Sequence, residues 1–482
     1  VKMKLTTTLL LLVTGSCCLL QGCTAGVIAV PEVVIDGLKI GEEQAPEVII
    51  PINVAPSADE EKPEESVFER NLYVEPISGA EDDYVEPEDE LLPPAPVVDD
   101  KPKGRATACK VTIRGGLPTP QPVYLKSDSA EFYPYDSTGV MVVESGEKLD
   151  LWCPGKFTSL DKTLVSASCV SGTNFKVDGT TYTLKELTCK SWPSFVAEKT
   201  GSSCNGGVEV HVGFKVSSSR FVEQYKVCFD EDEEVTRYVH HDLNPGSNYY
   251  QTGVDRLTFQ TGGFFGGKNV DKLYTQATQL TTINEQLGGD ASKYFDSSKN
   301  VYLARGHLAA KADFDYGTEQ RATFLFINAA PQWQVFNAGN WARIEDGVRA
   351  KVSKAQWYVD CWTGVYGVTT LANANGVQTP LYLAYDSNNN GLIPVPKLYF
   401  RVVIERTTKK GIVFIGVNNP HLTLAEIKKD YILCTDVADK VDYVNWKPTD
   451  ITAGYSYACE VDDFKKKVSH LPDLPSVTGL LV

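Results

Sequence analysis

Acid and proline are gathered into one stretch of this chain, and that fixes where a fold can form. Residues 26–104 hold 21 Asp and Glu against 5 Lys and Arg, together with 11 of the 26 prolines. Such a segment cannot bury enough apolar area to offset its ordering entropy, so it reads as a disordered acidic pro-region or linker. A short imperfect repeat lies inside it, Tyr73-Val-Glu-Pro76 and Tyr84-Val-Glu-Pro87. The stretch also carries the formal net charge of −16, because residues 105–482 hold 41 acidic and 39 basic side chains. Overall acidity therefore does not exclude a polyanionic partner for the folded part. A sharper reading is that the acidic segment mimics a polyanionic partner and covers a basic cleft until it is cut near Lys103–Arg105.

Residues 1–25 are expected to be a signal peptide: Lys2 and Lys4 precede an apolar run from Leu9 to Val13, and small residues follow around Gly22 to Gly26. The protein is accordingly expected outside the cell. Of twelve cysteines, Cys17, Cys18 and Cys23 lie in or beside this leader. Six more lie between 109 and 228, an even number that predicts three disulfides in an exported chain, with fifteen pairings open. Cys361, Cys434 and Cys459 leave one thiol free or one bonded across domains. None has zinc-ribbon spacing. No P-loop, Gly-x-Ser-x-Gly elbow or Asn-x-Ser/Thr sequon is present.

At 482 residues the chain exceeds one core, so two or more domains are expected. Residues 105–240 read as a small Cys-rich β domain, where Val208, Val210, Val212, Phe214 and Val216 alternate with Glu209, His211, Gly213 and Lys215. Residues 245–475 read as mixed α and β. Strand character falls at 300–303, 322–327, 357–365, 381–384, 398–404 and 412–417; helices are expected at 332–352 and 424–433. His240 and His241 would point to opposite faces of a strand, which favours a surface role over a metal site.

The chemistry concentrates in 303–349. On the helix expected at 332–352, Trp341, Ile344, Val348 and Val352 form one apolar stripe, with Asn337 and Glu345 within or beside it and Arg349 at its edge. Inward polar groups cost roughly 1–3 kcal/mol each if unpaired, so they need one another, water or a metal. His307 ends a strand after Gly306, which permits close backbone approach. An imidazole base, oxygen donors for a hard cation and guanidinium groups together suit phosphodiester hydrolysis.

The runs Leu303-Ala-Arg-Gly-His-Leu-Ala-Ala-Lys-Ala-Asp-Phe314, Phe326-Ile-Asn-Ala-Ala-Pro-Gln-Trp333 and Asn337–Arg349 resemble the DNA/RNA non-specific endonuclease family with its ββα-metal finger. The nearest flavour is the arthropod secreted nuclease and insect double-stranded ribonuclease group. The resemblance implies an α+β fold with a mixed antiparallel sheet over 245–475, and Mg²⁺ (Mn²⁺ as alternative) as cofactor. By resemblance, His307 is the general base and Asn337 the direct metal ligand. Glu345 holds metal-bound water, Arg305 and Arg349 meet the phosphate and transition state, and Asn328 shapes the site. Many members have Asp where this chain has Ala304, which leaves the orientation of His307 open. Arg256, Lys268 and Lys272 are candidates for an upstream phosphate contact. Lys311, Arg321, Arg343, Lys351 and Lys354 are candidates for a phosphate track. The implied activity is a secreted endonuclease cutting internal phosphodiesters of DNA and RNA, duplex RNA included, and leaving 5′-phosphates. The alternative is a non-catalytic extracellular nucleic-acid-binding protein on a nuclease-derived fold, and Ala304 is the feature that leans that way.

Overall fold

The computed structural model describes residues 107–289 and 291–482; the expected signal peptide and acidic pro-region lie outside them. The described chain is α+β. Its centre is a nine-stranded sheet. Eight strands run in the order Ser456–Cys459, Lys410–Val417, Pro396–Glu405, Val359–Val368, Val235–Leu243, Arg220–Asp230, Gly207–Ser217, Val196–Cys204, each antiparallel to its neighbour. Gly479–Leu480 adds a short parallel edge beside Lys410–Val417.

Alternation along these strands buries both faces. Tyr399, Val403, Ile412 and Phe414 belong to one core, whereas Phe400, Val402, Val413 and Ile415 belong to another. The second core is closed by Ile427 of the helix Leu424–Asp430 and Phe464 of the helix Val461–Lys465. The first core receives the two-stranded finger Leu303–His307 and Ala329–Trp333 and the helix Ala342–Ala355, through Trp333, Trp341, Ile344, Val348 and Val352.

A second, five-stranded antiparallel sheet follows the order Val123–Lys126, Lys148–Trp152, Leu164–Ser171, Asn174–Val177, Thr180–Thr183. Cys109–Cys169 and Cys153–Cys189 cross-link this unit. Cys204–Cys228 joins two strands of the large sheet, and Cys434–Cys459 ties its edge. Three bonds within 109–228 and, among the described residues, one free thiol, the buried Cys361, accord with the cysteine arithmetic.

Three readings need correction. The expected division at 240–245 falls inside the large sheet: Val235–Leu243 pairs with Val359–Val368, so strands from 196 onward belong with the nuclease-like unit, and the small sheet ends before it. The apolar run 322–327 is not a strand but the end of the helix Gly317–Ala322 and a tight turn at Phe326–Asn328; a short apolar run does not by itself distinguish a strand from a buried turn. The stretch 332–352 is not one helix. The strand continues to Trp333, and a helical turn Gln334–Phe336 and a π-turn Asn337–Trp341 precede the helix Ala342–Ala355. The π-turn has a tertiary cause. A Cβ on Gly339 would meet Ala453 O at 2.4 Å, and Asn340 Nδ2 donates to Lys447 O at 2.8 Å and Gly454 O at 2.7 Å.

Candidate active site

His307 closes the first finger strand, opposite Ala329. Gly306 is needed beside it, since a Cβ there would lie 2.2 Å from Gln332 Oε1. The imidazole is 3% exposed and held edge and face by aromatic rings: Phe259 at 5.0 Å between centroids and Phe324 at 5.2 Å. Its Nε2 faces Thr323 Oγ1 at 3.3 Å, and that hydroxyl donates to Gln320 O at 2.7 Å. The hydroxyl proton is thus committed, and its lone pair faces Nε2. On the Thr323 side, the arrangement favours a proton on Nε2. These contacts orient His307 where Ala304 supplies no carboxylate.

Asn328 fastens the turn after His307. Its Oδ1 accepts from Ala309 N at 2.9 Å, and its Nδ2 donates to Ala309 O and Thr323 O, both at 3.0 Å. One fully buried carboxamide therefore holds both the His307 turn and the segment carrying Thr323.

Asn337 opens the π-turn and is half-buried. Its Nδ2 donates to Gln334 Oε1 at 3.1 Å, which turns the amide so that the carbonyl oxygen is the atom suited to a cation. Glu345 and Arg349 lie one turn apart on the buried face of the helix, 4% and 3% exposed. Arg305 is partly buried, ion-paired with Asp271 at 2.7 Å and set over the Tyr274 ring.

Sequence reasoning missed the group that anchors Arg349. Asp313 is fully buried and accepts from Arg349 Nη1 at 2.9 Å, Arg401 Nη2 at 2.9 Å and His241 Nε2 at 2.8 Å. Arg401, Cys361 and His241 come from three neighbouring strands of the large sheet; His241 stands opposite Cys361, and Arg401 opposite Thr363 two residues along. One carboxylate thus ties the turn after the His307 strand, and through Arg349 the helix Ala342–Ala355, to that sheet. Burial opposes ionisation of Asp313, but Arg401, His241 and Arg349 outweigh it and hold the carboxyl well below the usual range. Burial also lowers the pKa of His241, against the raising effect of Asp313, so His241 is neutral. Asp313 stands within the quoted motif, and its buried surroundings were the only signal of its role.

Two sequence expectations change here. His241 is buried rather than at the surface, whereas the half-buried His240 stacks on Trp362 and meets Asp360 at 3.1 Å. Lys311 is 6% exposed with Nζ donating to Val254 O at 3.0 Å, so it does not stand on an open phosphate track. Arg343, Lys272 and Lys354 are exposed; Arg321 and Lys351 are half-buried against Trp192 and against Trp357 and Tyr443. Among the three upstream candidates, Arg256 lies over Phe324 and hence beside the His307 wall, whereas Lys268 is paired with Glu234. Among the described residues, His240, Asp242 and Asp360 could converge on a cation, but Arg406 already bridges the two carboxylates at 2.5 and 2.7 Å.

Comparison with known proteins places this geometry. The profile of the DNA/RNA non-specific endonuclease family matches residues 205–464. A salivary endonuclease of Lutzomyia longipalpis is 31% identical over 72% of this chain and 80% of its own length. Salivary protein Tsal2A of Glossina morsitans morsitans is 23% identical over 70% of this chain and 84% of its own. A salivary endonuclease of Culex quinquefasciatus is 27% identical over 33% of this chain and 41% of its own. The chain is a nuclease, and it belongs to the DNA/RNA non-specific endonuclease family.

Proposed function

We propose that the protein is a secreted, Mg²⁺-dependent, sugar-non-specific endonuclease that hydrolyses internal phosphodiesters of DNA and RNA, duplex RNA included, and leaves 5′-phosphates. The observation that carries this reading is the fixed His307 at the end of one finger strand, whose partner strand leads directly into the π-turn and helix that carry Asn337, Glu345 and Arg349. In it, His307 takes the proton of the attacking water, and the ring is kept from rotating by Phe259, Phe324 and Thr323. Arg305 and Arg349 stabilise charge that develops on the phosphoryl oxygens, and Arg256 is the upstream contact best placed to join them.

The donor set fits a hard divalent cation. Asn337 offers a carboxamide oxygen as the direct ligand and Glu345 a carboxylate to hold a metal-bound water, oxygen donors that suit Mg²⁺ with its several waters. When bound, that ion would neutralise charge on the scissile phosphate and the leaving oxygen. Two further observations support an extracellular setting: eight of the nine cysteines in the described residues are paired, and the relatives are named as salivary proteins.

Plasmid nicking with and without chelator tests the reading. Cleavage is expected with Mg²⁺, absent in His307→Ala and strongly reduced in Asn337→Ala. Retained nucleic-acid complexes with intact plasmid in every lane would instead establish the non-catalytic binder. A panel of single- and double-stranded DNA and RNA at fixed salt then tests substrate breadth.

A further inference from the structure

The small disulfide-bonded sheet supplies none of the residues above, yet its unit is fastened to the flank of the site. Gln121 Nε2 donates to Gln251 Oε1 at 2.5 Å, and the same oxygen accepts from Gly317 N at 3.1 Å. Gln251 N donates to Asp315 O at 2.9 Å, two residues beyond Asp313. The loop held this way carries Tyr250, and two guanidinium groups lie against the Tyr250 ring. One is that of Arg349, 5.8 Å from the centroid; the other, at 5.5 Å, is that of Arg114 from the N-terminal unit. Arg114 is exposed and oriented by the loop itself, with Nε donating to Tyr250 O at 3.0 Å and Nη2 to Asn248 O at 3.4 Å. A second contact of this kind lies nearby: Trp192 carries Arg321 at 4.6 Å, two residues before the Thr323 that faces His307.

We propose that the N-terminal disulfide unit forms part of the nucleic-acid-binding surface, with Arg114 as a contact to the phosphodiester backbone, continued across Tyr250 from Arg349. The inference rests on the nuclease reading for the identity of the ligand. Its physical basis is preorganisation. A guanidinium fixed by an aromatic ring and backbone carbonyls loses less side-chain entropy on meeting a phosphate than a mobile lysine does. Of the two guanidinium groups beside this ring, Arg114 is exposed and can meet a strand passing the site, while the buried Arg349 holds the other side of the ring. Trp192 does for Arg321 what Tyr250 does for Arg114. Such contacts carry no base information, which suits broad substrate use.

The test is equilibrium binding of a fluorescein-labelled duplex DNA to the full chain in chelator, followed over a salt series. Arg114→Gln is expected to weaken binding several-fold and to reduce the slope of log K against log salt by about 0.9, the value of one phosphate contact. Arg114→Lys keeps the charge and should keep the slope. Lys162→Gln removes a cation of the same unit, one paired with Asp178, and should change neither quantity. Wild-type affinity and slope in Arg114→Gln would overturn the proposal. So would Arg114→Lys losing as much slope as Arg114→Gln, since the effect would then be structural. Cleavage is scored separately with Mg²⁺. A wild-type chain that binds with the expected slope but does not cut refutes the enzyme reading alone, and one that cuts while Arg114→Gln binds normally refutes this inference alone.

Discussion

Asp313→Asn should be among the most damaging isosteric changes in the protein. The carboxylate has no solvent exposure and lies between two guanidinium groups, Arg401 fully buried and Arg349 nearly so, with neutral His241 as a third donor. At an effective dielectric near 20, each ion pair at this range is worth about 4 kcal/mol of attraction, which offsets the cost of withdrawing the charges from water. Asn keeps the shape but removes the charge, and it points an amide donor at groups that are themselves donors. Arg401 then loses its one ion-paired carboxylate among the described residues, while Arg349 keeps Asp346. The expected loss is about 3–5 kcal/mol, a large part of the roughly 5–15 kcal/mol that holds a domain folded. Urea unfolding followed by tryptophan fluorescence measures it. Replacing both partners with apolar groups, Asp313→Leu with Arg401→Met, should recover most of the loss, because no buried charge is left uncompensated. A single variant within about 1 kcal/mol of wild type, or a double variant as unstable as the single, would refute the reasoning. The pH dependence follows in sign. The lowered carboxyl of Asp313 contributes stability above the ordinary carboxylate range, lost as pH falls through its folded value. The lowered pKa of His241 adds a second loss below the unfolded value of about 6.5, where only the unfolded chain takes up the proton.

Glu319 gives the opposite sign: burial pushes its carboxyl up to about 8, so its contribution is full below about 4.5 and lost as pH rises through 8. Glu319→Gln should flatten the thermal midpoint between pH 5 and 9 at constant ionic strength, and equal pH dependence in the two proteins would refute this. Asn328→Asp keeps the acceptor for Ala309 N but sets a carboxylate against Ala309 O and Thr323 O; about 2–4 kcal/mol of destabilisation and a more than tenfold loss of cleavage are expected, checked by unfolding and nicking side by side. If the acidic stretch 26–104 screens the cleft, a chain beginning at Ala106 should cut faster than the full chain at low salt and equally fast at high salt. Equal rates at low salt would remove that idea.

Much of the site was legible because it is local. The stripe of Trp341, Ile344, Val348 and Val352 recurs at helical spacing, and all four are buried; the alternation through 208–216 is a strand with Val210, Val212 and Phe214 inside. Gly306 beside His307 announced a close approach, and the structure supplies the neighbour in Gln332. The helix start was misjudged because its π-turn is made by Ala453 and Gly454, more than a hundred residues away. Lys311 read as a surface cation because composition does not record that its ammonium group meets Val254 O.

Period, parity and motif are properties of neighbouring residues, so the strand alternation, the helix face, the even cysteine count and the order of His307, Asn328, Asn337, Glu345 and Arg349 could be read from the chain. Which cysteines pair, where one sheet stops and the next begins, and which groups neutralise Asp313 depend on contacts across 24 to 88 residues of sequence. Strand order sets those contacts. His241, Cys361 and Arg401 share a face only because Val235–Leu243, Val359–Val368 and Pro396–Glu405 are adjacent in the sheet, and a buried charge finds its partners only once that adjacency exists.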